Sequence, residues 1–436
     1  KAMERTRLTP FGRIATPPPM AKTAVVIGSG PGGGAAAVRL KQRGVDRVIL
    51  IDKEQFPRDK TCGSGLSPNA LQVIESLGIA PEVHRLGYPI HSVVFGTPGG
   101  RRMKLTTDAA AVVLLRKYFD NLLVEKAKSL GAEFHGGVYI NELIRDGSGR
   151  VIGCRGRNGE EFRGDFVLMA DGAHSIFSHD PRPRRTVHTL MGWWEDFDYE
   201  PHTMEMFFDK SVSPLYGWMF PEAPRRVNIG ICIDGEDADG KKTQRNVRDV
   251  FNTFLHDNYR HRLENARQVG KFRGHPISYC TWIRDLDDNG AVYLGEGGRM
   301  VHNATGEGIS YAMQSGIWCA DAVADIFAGA SEKSRLQKYT WQCRKHFTGS
   351  FVMGHVLRGA MKTPVFDWIA DAYNHPQIRG VVTSLLATAL TSSGARDKSG
   401  KAGDMERVFE DTQRKAGGYT PITQRDAATA HLMPNG

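Results

Sequence analysis

The stretch TAVVIGSGPGGGAAAVRLKQRGVDRVILID, residues 23–52, constrains this chain more than any other. A short apolar run, 24–27, breaks into Gly28-Ser29-Gly30-Pro31-Gly32-Gly33. A helix-compatible Ala/Leu segment follows, and a second apolar run, 48–51, ends in Asp52. A G-x-G-x-x-G pattern set between a strand and a helix, with an acidic residue 24 positions after Gly28, is the arrangement of a dinucleotide-binding βαβ unit. Gly28 permits the tight turn, Gly30 lets the backbone approach a pyrophosphate, and Gly33 lets the helix pack close to the strand. Pro31 and Gly32 then open the helix, whose unpaired N–H groups and dipole favour the phosphates. Asp52, with Lys53 beside it, is expected at the ribose hydroxyls.

A chain of 436 residues exceeds one small core and predicts two or three structural units. With 40% hydrophobic and 24% charged residues it has the composition of a soluble globular protein. No run approaches the ~20 apolar residues a bilayer crossing needs, so no integral membrane segment is expected. Residues 1–21 are basic and Pro-rich without the apolar centre of a secretory signal, and read as a flexible leader. Six scattered cysteines predict free thiols in a reducing cytoplasm, with no disulfide framework and no metal site. The net charge of +9 suits an acidic partner, a phosphorylated substrate or a membrane surface. No basic helix or aromatic-interleaved stripe accompanies it, which argues against nucleic acid.

Along the chain, Ser67 caps a predicted helix over 68–77, and apolar positions at helical spacing predict another over 110–131. Alternating residues between 133 and 170 predict strands, and 186–235, dense in β-branched and aromatic residues, predicts a second sheet. A charged helix over 243–268 is expected to be solvated, and a long helix is expected over about 307–328. The fold class that follows is α/β: a Rossmann-like domain with a parallel sheet, an inserted mixed or antiparallel sheet domain, and a C-terminal helical region. The first domain is assigned to 22–90 with 105–185 and 286–330. The second takes 91–104 with 186–285, the helical region 331–391 and a polar tail 392–436, in which 404–414 could form one short helix.

Four further motifs follow in register: Pro57-Arg-Asp-Lys-Thr-Cys62-Gly63-Ser-Gly-Leu-Ser67-Pro68, a strand ending in Asp171-Gly172, Tyr216-Gly-Trp218-Met-Phe220-Pro221, and Gly295-Glu296-Gly-Gly continuing to Thr305-Gly306-Glu307-Gly308-Ile309. Over about 22–325 the set resembles the FAD-dependent oxidoreductases that group geranylgeranyl reductases with aromatic-ring hydroxylases and flavin halogenases. The resemblance implies FAD, with NADH or NADPH as electron donor. It implies cofactor contacts at Cys62-Gly63, Asp171-Gly172, Gly295-Glu296 and Gly306–Ile309, and at Arg116, which unaided reads more often as a surface salt-bridge partner. It also implies a substrate pocket lined by Tyr216, Trp218 and Phe220, an aromatic stripe that in a strand is otherwise core.

The chain departs from the family pattern in two places. Glu296 and two glycines stand where the family has Asp-Ala-Ala, and His302-Asn303 replace a usual proline, which puts an imidazole at the expected flavin face and the pair in the pocket. Candidate catalytic residues are therefore His302, Cys62 and Trp218. The halogenase W-x-W-x-I-P signature is missing, and Trp193-Trp194 does not supply it. The favoured expectation is a monooxygenase acting on an aromatic or bulky substrate through a flavin hydroperoxide, with a tryptophan side chain of a protein as a narrower case. The alternatives are reduction of isoprenoid or quinone double bonds, and a flavin-binding partner protein without turnover.

Overall fold

The computed structural model describes residues 21–375, apart from 178–179, 181, 183–184 and 237–240, together with 377 and 379; of 107–110 only the backbone is described. The leader up to residue 20, the end of the helical region, the polar tail and the helix expected over 404–414 lie outside the described residues.

The chain opens with β1 (Thr23–Ile27), α1 (Pro31–Gln42) and β2 (Arg47–Asp52), the βαβ unit its glycines predict. Then come β3 (Gly65–Leu66), α2 (Pro68–Leu77), α3 (Ala80–Leu86), β4 (Tyr88–Gly96) and β5 (Arg102–Val113). α4 (Arg116–Ser129), β6 (Glu133–Gly136), β7 (Ile140–Arg145), β8 (Val151–Gly156), β9 (Glu161–Arg163) and β10 (Phe166–Met169) follow. The middle of the chain forms β11 (Arg185–Glu195), β12 (Thr203–Phe207), β13 (Gly217–Ala223), β14 (Arg226–Asp234), α5 (Val247–Leu263) and β15 (Arg267–Tyr279). β16 (Asp287–Asp288), β17 (Ala291–Tyr293), α6 (Ile309–Phe327), α7 (Glu332–Ala360) and α8 (Val365–Asn374) complete it.

Among the described residues three sheets result: β16-β17-β10-β1-β2-β6, β15-β11-β14-β13-β12-β4-β5-β3, and β7-β8-β9. The first is parallel except at its β16 edge. Its central strand β1 is buried along its whole length, as expected for a parallel strand covered on both faces. α1 and α6 cross so closely that a Cβ at Gly316 would lie 2.4 Å from the Gly32 carbonyl oxygen. The second sheet is mixed, because β12 pairs in parallel with β4 while its other pairs are antiparallel. α5 lies against it through Phe251, Phe254, Leu255 and Tyr259. The helix expected to be wholly solvated therefore has one apolar face, and Gly217 leaves the space that the Phe254 ring fills.

Two boundaries differ from expectation. The helix predicted from 110 begins at Arg116, because the chain through Val113 pairs with β4. The run Ala110-Ala-Val-Val-Leu-Leu is short and apolar and fits a buried strand as well as a helix, so periodicity alone cannot decide. Accordingly 105–113 and 88–90, assigned to the first domain, belong to the second sheet. The predicted α2 and its Ser67 cap stand as expected, with Ser67 Oγ accepting from the Ala70 N–H.

Candidate active site

The glycine turn between β1 and α1 is built by close approach. A Cβ at Gly28, whose φ is +98°, would lie 2.4 Å from the Ala170 carbonyl oxygen, and one at Gly33 would lie 1.8 Å from that of Gly28. Gly32 is similarly confined, 2.7 Å from Leu294 Cδ1. Gly30 differs. The atoms nearest its absent Cβ are Arg116 Nη2 at 3.7 Å and Arg58 Nη2 at 4.0 Å. α1 begins at Pro31 with no side-chain cap, so its N-terminus faces two guanidinium groups across an open cradle.

Those cations are organised by one buried carboxylate. Arg116 donates to Asp120 through Nε at 2.7 Å and Nη2 at 2.8 Å, and Arg58 Nη2 reaches the same carboxylate at 2.8 Å. Two positive charges thus share one negative partner, and Arg58 Nη1 is buried with no hydrogen-bond partner in the protein. Lys60 adds a third cation, hydrogen-bonded to His275 Nε2 at 2.8 Å. Burial, then the nearby Arg116 charge, lowers the Lys60 ammonium to about 8, and burial with Lys60 opposite pulls His275 to about 3. An excess of positive charge, an unspent buried donor and a helix N-terminus fit the diphosphate of a dinucleotide. At the other end of the turn Asp52 accepts from the N–H groups of Ser29 (2.8 Å) and Glu54 (3.0 Å), with exposed Lys53 beside it.

The expected ring end gathers around three turns. Asp171-Gly172, after β10, abuts the turn at 295–298, where a Cβ at Gly297 would lie 3.3 Å from Asp171 Oδ1. The glycines after Glu296 let the two turns touch. Glu296 uses its extra methylene to cross to the second sheet, where its Oε1 accepts from the Ser278 N–H at 2.8 Å. Gly295 has a φ of +56° and donates its N–H to Ser315 Oγ. At the start of α6, Gly306 has a φ of +64°, Gly308 is an N-cap without side-chain bond, and Ile309 is the first helical residue. Glu307 turns toward α2, accepting from Ser67 Oγ (2.7 Å) and Ser310 Oγ, and burial raises its carboxyl.

His302 and Asn303, expected at the flavin face and in the pocket, point elsewhere. The His302 ring packs on Tyr311 and Phe351, its Nδ1 accepts from the Thr305 N–H, and burial lowers it to about 4. Asn303 is buried and donates to the Phe351 carbonyl. Both lean on α7 at Gly354, where a Cβ would lie 2.1 Å from Asn303 Oδ1. A proline side chain has no polar atoms to make these bonds.

Tyr216, Trp218 and Phe220 stand side by side, with ring centroids 6.0 and 6.1 Å apart. The Trp218 indole lies over Gly230 of β14, where a Cβ would be 2.3 Å from the ring, and its N–H is donated to Asn228 Oδ1. Tyr216 donates its hydroxyl to the Thr305 carbonyl, joining this wall to the α6 turn. The loop at Cys62-Gly63 lies against it: a Cβ at Gly63 would be 3.1 Å from Phe220 and 3.2 Å from Trp218 Nε1. Cys62 Sγ is held by the Ser64 N–H and by the Arg116 side chain. The structure thus brings the glycine turn, Arg116, Cys62-Gly63 and the aromatic stripe together and leaves His302-Asn303 behind the α6 turn.

Sequence reasoning missed Arg58, Lys60, Asp120 and Asn228 as members of this assembly. Asp120, four residues after Arg116 on one helix face, was the signal for a paired, inward-facing arginine. Among the described residues no group of His, Cys, Asp or Glu is placed to hold a metal ion, and no helix is long and apolar enough to cross a membrane.

The model of the FAD binding domain family matches residues 21–350. Digeranylgeranylglycerophospholipid reductase 1 of Methanopyrus kandleri is 26% identical over 338 residues, covering 75% of this chain and 87% of its own. In fold, the chain is similar to a geranylgeranyl bacteriochlorophyll reductase-like protein of Thermoplasma acidophilum, with a TM-score of 0.72 at 19% identity over 90% of this chain and 99% of that one. It is also similar to P. aeruginosa PqsL in complex with 2-aminobenzoylacetate, with a TM-score of 0.60 at 19% identity over 78% and 96% of the two chains. With the family model spanning the glycine turn, the aromatic wall and the α6 turn, the chain belongs to the FAD binding domain family of flavin-dependent oxidoreductases.

Proposed function

We propose that this chain is an FAD-dependent monooxygenase that hydroxylates a bulky aromatic substrate, with NADH or NADPH as electron donor. The observation that carries the reading is a continuous wall of rings. Phe95, Phe208, Tyr216, Trp218 and Phe220 follow one another with centroids 5.9 to 6.4 Å apart. Such a wall receives another aromatic ring edge-on or offset, each contact adding about 0.5–1.5 kcal/mol beyond area burial. With the Trp218 N–H and the Tyr216 hydroxyl both bonded within the protein, the wall is apolar toward a guest.

Bound here, FAD would supply two-electron redox chemistry and, when reduced, reactivity toward dioxygen. The protein's part is binding, orientation and electrostatics. Gly30, Arg58 and Arg116 would hold the diphosphate and Asp52 the ribose. The uncapped N–H groups at the start of α6 would hold negative charge at the ring end. The aromatic wall would position the substrate and exclude water, and no nucleophilic side chain is required.

A second reading, reduction of a carbon–carbon double bond, is favoured by the identity to the Methanopyrus kandleri reductase. One experiment separates the two. Purified protein is reduced and supplied with 18O2 together with an aromatic panel that includes a tryptophan-containing peptide, or with a prenylated quinone in the absence of oxygen. One 18O atom in an aromatic product, with no reaction under nitrogen, supports hydroxylation. Gain of two hydrogens by the prenyl chain without oxygen uptake would overturn it in favour of reduction.

A further inference from the structure

α7 reaches back to the turn that starts α6, and one side chain extends that link to the second sheet. Arg358 donates through Nη1 to the Asn303 carbonyl at 2.9 Å. Its guanidinium is also ion-paired with Asp234, at the end of β14, and lies 5.3 Å from the Tyr279 ring centroid, at the end of β15. The side chain is only 12% exposed, so these contacts are shielded from water and salt. A single cation therefore touches the turn before α6 and two strands of the second sheet.

The same turn is held from other directions. Gly354 admits Asn303, the Phe351 carbonyl takes its side-chain N–H, and the Tyr311 hydroxyl bonds Ser350 Oγ. From the second sheet Tyr216, a member of the aromatic wall, donates to Thr305. Tyr216 meets the turn directly, and Asp234 reaches it only through Arg358.

We propose that Arg358 is a positioning residue that sets the α6 N-terminal turn, 302–308, in register with the aromatic wall. It touches neither cofactor nor substrate; it fixes the distance between the surface that would hold the flavin ring and the surface that would hold the substrate. The inference rests on the reading that FAD binds with its ring end at this turn. Guanidinium geometry matters because one planar fork serves a carbonyl and a carboxylate at once, which a lysine ammonium does not reproduce.

The test uses the full chain with FAD. Arg358→Met is expected to raise the Kd for FAD at least fivefold and to change the visible circular dichroism of the bound flavin, with kcat falling more than KM rises. Arg358→Lys, which keeps the charge, is expected to restore the fold fully and the dichroism only in part. Asp234→Asn and Arg358→Met together should be no worse than Arg358→Met alone, because both act through one link. If Arg358→Met, or Arg358→Lys where the former does not fold, binds FAD with the wild-type Kd and an unchanged flavin spectrum while only the Tm drops, the residue is merely structural and the inference fails. Wild-type protein that takes up no FAD would instead remove the underlying reading, and the two failures are distinguished by the wild-type titration.

Discussion

Gly30 and Gly33 are three residues apart in one turn, yet the structure assigns them opposite consequences on substitution by alanine. At Gly33 a Cβ would meet the Gly28 carbonyl oxygen at 1.8 Å, about half the ordinary contact distance, so β1 and α1 would have to separate. Overpacking of a tight interior costs roughly 1–3 kcal/mol, and a clash with rigid backbone belongs at or beyond the upper end. At roughly 2–4 °C per kcal/mol for large domains, Gly33→Ala should lower the Tm of the apoprotein by about 6 °C or more. At Gly30 the backbone is extended, with φ −68° and ψ −172°, which alanine adopts without strain, and nothing lies within 3.7 Å of the new methyl. The apoprotein Tm should move by less than about 2 °C, since surface changes of this kind stay within about 0.5 kcal/mol. The methyl instead enters the space facing Arg58 and Arg116. If a diphosphate uses that space, the same 1–3 kcal/mol falls on the ligand, a loss of about 5- to 150-fold in FAD affinity. Calorimetry of both apoproteins and titration of each with FAD, followed by flavin fluorescence, give the four numbers needed. Gly30→Ala protein that binds FAD as wild type does, or that melts as low as Gly33→Ala, would refute the reasoning.

Arg58→Met removes a buried cation whose second guanidinium nitrogen has no protein partner; loss of one charged hydrogen bond, about 1.5–3 kcal/mol, should weaken FAD binding about 10- to 150-fold in the same titration. His302 is held neutral down to about 4 by burial, against about 6.5 in an unfolded chain. Between those values the unfolded state binds the extra proton, so stability is full above pH 6.5 and is lost as pH falls, by about 2 kcal/mol between pH 7 and pH 5. Urea unfolding of His302→Gln at the two pH values should show that much less difference than wild type. Trp218→Phe leaves the buried Asn228 Oδ1 without its donor and should cost about 1–3 kcal/mol in urea unfolding, whereas an indole N–H that faced the pocket would give almost no change.

What the sequence made legible was whatever depends on local backbone geometry. The turn from Gly28 to Gly33, the Ser67 cap and the strand ending in Asp171 each need particular residues at fixed short spacing, and each stands where it was read. Long-range contacts were not legible. His302 was read against the flavin because only its neighbours along the chain were visible; the partner that turns it away, Gly354, lies 52 residues later, and an isolated glycine in a helix carries no address. Arg58 and Asp120 are likewise ordinary surface residues until the fold brings them together. The helix boundary at 110–116 failed for a different reason: a short apolar run satisfies both periods, and only pairing with β4 decides.

The strand with no sequence signal, β15, turns out to be the seam of the molecule. It was hidden because its first eight residues are mostly exposed and charged or small, with Gly270 at a φ of +72° and Gly274 interrupting any alternation. Its last five residues are more buried, and three of them make cross-links. His275 meets Lys60 from the Cys62 loop, the Ser278 N–H meets Glu296 from the turn after β17, and Tyr279 lies under Arg358 from α7. Each partner comes from a different segment, and each is a charged side chain crossing to a neutral group. In each contact the group on β15 is uncharged, so β15 joins its neighbours without supplying a carboxylate that would compete with an anionic ligand for Arg58, Lys60 and Arg116. Read this way, Glu296 is not a defective aspartate. Its side chain spans the seam to Ser278, and Glu296→Asp, too short to reach Ser278, should loosen the second sheet while leaving the glycine turn untouched.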